Sequence, residues 1–200
     1  MDKQLEYSIK FICICACFVV SLVSYRFCFS KRDCKFLIAG MFLTIVSDFF
    51  LVLRDMDYTG YYIFFLVHAV YILRVSADYR RNLKIMAGIA VCFVPFYFAY
   101  DLIIATAVVY AGFFIYDVIA NFNVYKNGNI EFPKINRAII LAGLILFMIC
   151  DLNIIFFNLP RYFSVPKYVA DRVYPIIWVS YLSSQVLLSV SAFKFKRKKA

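Results

Sequence analysis

The sequence predicts an all-α fold, a polytopic transmembrane bundle of about seven helices with its N-terminus outside and its C-terminus in the cytoplasm. Three observations predict it. Apolar residues make up 64% of the chain and charged residues 17%, against about 45–50% and 25% in soluble domains. Mean hydropathy is +0.80. The apolar residues also gather into runs of about 16–22, long enough to cross a hydrocarbon layer about 30 Å thick. A soluble globule of 200 residues has too little interior to hide so much apolar surface, so a bilayer must cover the rest.

Taken in order, the spans fall at about 8–25, 36–53, 60–77, 85–100, 102–121, 138–158 and 174–193. Together they form one integral membrane domain over residues 1–200. The first run has a charged lead-in like a signal peptide, but it continues into Tyr25 and Arg26 with no small-x-small cleavage site, so it reads as a helix. Pro95 is expected to kink the fourth span, and Pro160 and Pro166 to mark the loop before the last. No low-complexity tract or long linker interrupts the series. The orientation comes from charge. Of the 22 Lys and Arg residues, 16 fall in alternate loops and the C-terminal tail and 6 on the other side. The positive-inside rule then places the tail in the cytoplasm.

The net charge of +10 would suggest nucleic acid in a soluble chain. Here the basic residues sit in the gaps between apolar runs, so no nucleic-acid partner is expected. The run Lys194–Lys199 reads as a topology anchor beside anionic headgroups. Five of the seven cysteines lie inside apolar runs, where free Cys behaves as a small hydrophobe. Cys13, Cys15 and Cys17 point in different directions on a helix, and His68 is the single histidine. No metal site and no cofactor is expected.

An ionisable group at bilayer depth costs about 2.5–3.5 kcal/mol on insertion scales and is a functional candidate by default. Asp48, Asp101, Asp117 and Asp151 lie close enough to spans to ask about. Asp101 falls in the turn between the fourth and fifth spans. Asp117, placed about one turn from the inner end of its span, is expected to snorkel to the interface. Asp48 and Asp151 are deep, and a repeat connects them. Each follows an Ala-Gly pair, Ala39-Gly40 or Ala142-Gly143, eight residues after the glycine. Counted from the edges of the apolar runs, they lie roughly 18 and 19 Å from the inner side. Gly40, Thr44, Ser47 and Asp48 share one helix face; Gly143, Phe147, Asp151 and Asn158 share another. His68, Tyr71, Tyr181 and Gln185 fall in the same layer on two further helices.

Two carboxylates close together in a low dielectric cannot both ionise comfortably, so one keeps its proton. Such a pair supplies an acid and a base at neutral pH, and a neutral His68 could orient a water or pass a proton. There is no Gly-x-Ser-x-Gly, phosphate loop or His-Glu-x-x-His. Metal-free acid–base hydrolysis of a membrane-soluble substrate is the natural enzymatic reading. The alternative is a small proton- or cation-coupled transporter or sensor using the same carboxylates.

The order Gly40…Ser47-Asp48, Phe64-x3-His68-x2-Tyr71, Gly143…Cys150-Asp151 and Tyr181-x2-Ser184-Gln185 resembles the YhhN family of integral membrane lysoplasmalogenases, over about residues 36–192. One span precedes the first acid, one fewer than is usual for the family. Ser47 and Cys150 stand where that family usually has a glycine and a serine. The resemblance implies a hydrolase of the vinyl-ether bond of lysoplasmalogens, in the plasma or inner membrane if the chain is bacterial. It implies Asp48, Asp151 and His68 as catalytic residues, and Tyr71, Tyr181, Gln185, Ser47 and Asn158 as substrate-binding ones. The implied partners are a lysophospholipid substrate and the membrane lipids around it. Oligomeric state is left open.

Overall fold

A computed structural model describes residues 3–54, 59–92, 94–95, 98, 102–127, 132–162, 166 and 168–195. Seven named helices run through them: α1 (Lys3–Phe27), α2 (Lys31–Asp48), α3 (Thr59–Arg74), α4 (Tyr79–Val91), α5 (Leu102–Asn127), α6 (Lys134–Tyr162) and α7 (Tyr168–Val190). A π-helical turn, Phe49–Leu53, continues α2. Five stretches are long and apolar enough to cross a membrane: Leu5–Phe27, Lys31–Leu53, Val108–Asn127, Lys134–Asn158 and Tyr168–Val190. Only 28% to 39% of each is buried within the chain. The rest presents large apolar side chains outward, among them Ile12, Phe42, Ile115, Ile155 and Val179, as a lipid-facing surface must.

The other two expected spans are shorter. α3 has 16 residues, about 24 Å at 1.5 Å per residue. α4 has 13 and opens with Tyr79, Arg80 and Arg81 behind the N-cap Asp78, whose side chain accepts from the Arg81 N–H. That places its start well before the apolar run at 85. Asp101 and most of the segment around Pro95 lie outside the described residues. Elsewhere the helices overrun their hydropathy edges. α5 continues six residues past 121, and the Arg137 guanidinium donates to the Val124 and Tyr125 carbonyls of its last turns, at 3.0 and 3.3 Å. α6 runs on through Pro160 to Tyr162 instead of stopping before it, and α7 begins six residues early, with Pro175 inside it.

Helices α1, α2, α3, α5, α6 and α7 close a ring in which each touches the next and α7 returns to α1. α2 and α7 also touch across it, and α4 lies outside against α3 and α5. The ends are tied at several points. At one end the Lys194 N–H donates to the Phe27 carbonyl and the Phe29 N–H to that of Ala192. There too the Asn136 amide donates to the Ser191 and Phe193 carbonyls, and Arg74 grips Asp33. At the opposite end Lys10 meets Glu6 and Tyr174. α1 and α7 therefore run parallel, and Lys3 and Phe195 stand at opposite ends of the bundle. Phe147, 1% exposed, is the hub of the interior. Its ring contacts Phe64 and His68 of α3, Phe114 of α5 and Tyr181 of α7, with centroids 5.4–5.8 Å apart.

Candidate active site

Asp48 and Asp151 are in register. Each lies seventeen positions after the first residue of its helix, Lys31 or Lys134, about 26 Å along it. This is farther from the inner end than the apolar edges imply, because both helices start four or five residues before their apolar runs; Asp48 stands five residues before Leu53, where the π turn ends. Each carboxylate is held by a phenol. Tyr181 Oη donates to Asp48 Oδ2 at 2.6 Å, and Tyr110 Oη donates to Asp151 Oδ2 at 2.6 Å. Asp48 is 3% exposed, while Asp151 is only half-buried. Asp48 closes α2 just before the π turn, an irregularity frequent at functional positions. The two acids do not form a hydrogen-bonded pair. Cys150 and Tyr181 are within electrostatic range of both, and the Tyr181 ring packs on that of Phe147.

From Asp151 the hydrogen bonds continue inward. Tyr110 Oη stands 3.2 Å from His68 Nε2, and His68 Nδ1 stands 3.0 Å from Asp117 Oδ2. Asn121 Nδ2 donates to Asp117 Oδ1 at 2.8 Å and to the Asp117 carbonyl at 3.0 Å. His68 and Asp117 are both fully buried. The imidazole is packed by Phe114, 4.6 Å away between centroids, and by Phe147. Asp117 therefore does not snorkel. α5 runs ten residues beyond it, about 15 Å, and its carboxylate turns inward to the one histidine.

The remaining expected site residues fall into two groups. Tyr181 reaches Asp48 directly. Gln185, one turn along the same face, is 0% exposed with both amide atoms lacking a protein partner, as does the neighbouring Ser184 hydroxyl. Buried amide and hydroxyl groups without partners mark a place for water or a polar ligand atom. The others are occupied in holding the helices together. Ser47 Oγ donates to the Gly60 carbonyl at 2.6 Å, joining α2 to α3. Tyr71 lies flat over Gly40, where a methyl would stand 2.5 Å from its Cε1, and its hydroxyl points to Met41 Sδ at 3.6 Å. Asn158 turns back on its own helix, donating to the Ile154 carbonyl at 2.9 Å.

Tyr110 was not among the expected residues, and Asp117 was expected at the interface. A signal for both exists: Tyr110, Phe114, Asp117 and Asn121 follow the i, i+4, i+7, i+11 spacing of one helix face. The buried pair of Arg74 and Asp33 was likewise hidden among residues counted as loop charges. Arg74 Nε and Nη2 donate to the two Asp33 oxygens at 2.6 and 2.9 Å, and both residues are at most 2% exposed.

The arrangement can hold a proton on either side of the Phe147 hub and pass one between Asp151 and His68. Phe65, whose ring centroid is 6.0 Å from that of Tyr110, also lines an apolar groove of about 260 Å³ with Tyr62, Val109 and Phe113. The chain matches no family model, no curated protein and no solved structure.

Proposed function

We propose that this chain is a seven-pass membrane hydrolase that cleaves the vinyl-ether bond of a lysoplasmalogen, releasing a fatty aldehyde and a glycerophosphodiester. Asp151, the less enclosed of the two acidic residues, protonates the β-carbon of the vinyl ether and leaves an oxocarbenium ion. Asp48, enclosed beneath Tyr181, is the base that takes a proton from the attacking water. The resulting hemiacetal collapses to aldehyde and alcohol, so the proton spent is recovered and one water is consumed. Carboxylates aimed at the oxocarbenium from a low-dielectric wall stabilise its charge more strongly than water would. The groove beside Tyr110 suits an alkyl chain, with aromatic walls and little polar surface.

The observation that carries this reading is the pair of carboxylates at one height along their helices, each bonded to a tyrosine hydroxyl, Asp48 the more enclosed of the two. The experiment is aldehyde release from a 1-alkenyl lysophospholipid by the purified protein in detergent. Asp48→Asn and Asp151→Asn each lower the rate by about 10²–10⁴-fold, the range lost with a general acid or base, while the helical circular dichroism is retained. Unchanged turnover in both variants overturns the proposal. A second reading, a proton-coupled carrier, draws on the enclosed Asp117 and His68, because charged groups inside membranes also mark proton paths. It requires solute uptake into proteoliposomes driven by a pH gradient, without covalent change in the solute.

A further inference from the structure

We propose that Tyr110, His68 and Asp117 form a proton relay ending on Asp151, along which a concerted shift of hydrogen-bond protons carries one proton between the two carboxylates. Four groups are joined by three links: Asp151 to Tyr110 at 2.6 Å, Tyr110 to His68 Nε2 at 3.2 Å, and His68 Nδ1 to Asp117 at 3.0 Å. Each link needs one proton, and Tyr110 has only one to give. When it donates to Asp151, Nε2 must carry a proton to donate to the phenol oxygen. The link at Nδ1 is then made by a proton on Asp117 or on the ring. In the reversed arrangement Asp151 is protonated and donates to Tyr110, Tyr110 donates to Nε2, and Nδ1–H donates to the Asp117 carboxylate.

Three protons and one negative charge are present in both arrangements, and also in the intermediate one with an imidazolium between two carboxylates. No charge enters or leaves the interior as the relay reverses, so the desolvation cost that isolates most buried acids does not arise. The two ends differ in access. Asp151 is partly exposed, whereas Asp117 is 0% exposed and its other oxygen is held by Asn121. Arg74, a cation within electrostatic range of Asp117, is engaged by Asp33. Asp117 is therefore a proton store for Asp151. This holds whether or not Asp151 acts on a vinyl ether.

His68 is the only histidine in the chain, so ring-¹⁵N histidine labelling of the full protein in detergent micelles yields the nitrogens of one residue. In the native protein Nε2 carries a proton. Asp151→Leu removes the acceptor of the Tyr110 proton, which turns to Nε2, and the ring becomes the neutral Nδ1–H form. Asp117→Leu produces the opposite form, Nε2–H with a bare Nδ1. Tyr110→Phe, which keeps the ring packing, also empties Nε2, and adding Asp151→Leu to it shifts nothing further. A ring protonated on both nitrogens in every variant is a fixed ion pair and overturns the relay, as does a single unchanging tautomer. If the leucine variants do not fold, Tyr110→Phe decides alone, and an Nε2 that keeps its proton there refutes the proposal. Aldehyde release is read separately, so the relay and the hydrolase reading can fail independently.

Discussion

Gly60 and Gly88 carry the same absent side chain in opposite surroundings. A methyl on Gly60 would overlap Leu51 and stand 3.0 Å from the Ser47 carbonyl, in the closest approach of α2 and α3, whereas one on Gly88 would meet nothing within 4 Å. Small residues are what permit membrane helices to come this close. Gly60→Ala is expected to lower stability by about 1–3 kcal/mol, the usual cost of overpacking, and to weaken the Ser47–Gly60 bond. Gly88→Ala in the exposed α4 is expected to be neutral or to gain up to about 1 kcal/mol from helix propensity. Thermal unfolding midpoints of the two variants in one detergent measure the difference; equal midpoints would mean that the α2–α3 contact is looser than described. The same scale shows what could be read without coordinates. Asp48 and Asp151 stood out because a carboxylate in an apolar run is costly wherever it points. Tyr110 did not, because it is one of sixteen tyrosines, and its place on the Asp117 face gains weight only from its two hydrogen bonds.

Among the elements, α2 and α3 are the most tightly joined across polar groups. Ser47 Oγ bonds the Gly60 carbonyl, Tyr71 covers Gly40, Arg32 Nη2 donates to the Ser76 carbonyl at 2.7 Å, and Arg74 is bidentate on Asp33. Removing one member of a buried ion pair leaves the other charge uncompensated and costs about 3–5 kcal/mol, while replacing both with apolar residues is often near neutral. Asp33→Leu or Arg74→Met alone should therefore destabilise the protein strongly, and the double variant should recover most of the loss in thermal unfolding. Additive losses would show that the two residues are not coupled and that each stabilises through other contacts. Arg74 Nη1 has no partner, which argues for recovery. The pairing could not be read from spacing, since Asp33 and Arg74 are 41 residues apart and each looks like an ordinary loop charge beside an apolar run. Helix ends were misjudged for a related reason. Hydropathy marks where lipid begins, but Arg137 extends α5 and capping by Ser30 starts α2 at positions hydropathy does not see.

At the scale of the molecule, the parallel run of α1 and α7 separates the two termini by the length of the bundle. The end at which Phe27, Lys31, Arg74, Lys126, Lys134 and Lys194 gather carries the basic side of the sequence count. A protein that crosses an odd number of times with that end in the cytoplasm places its N-terminus outside. Reporters fused at the two ends, one active only in the cytoplasm and one only outside it, should each be active at one terminus alone. Activity of the same reporter at both ends would contradict the parallel course of α1 and α7.

Composition and periodicity by themselves determined the helical class, the apolar runs, the basic end and the presence of acids inside apolar runs, because burying or exposing those groups carries a free-energy cost that does not depend on the neighbours. Pairings were decided only by the tertiary structure. Which phenol meets which carboxylate, whether Asp117 turns to lipid headgroups or to His68, and which rings gather on Phe147 depend on how six helices rotate about their axes as they close the ring. A hydrogen bond worth making exists only once that rotation has brought donor and acceptor within about 3 Å, and no single helix carries the information to choose it.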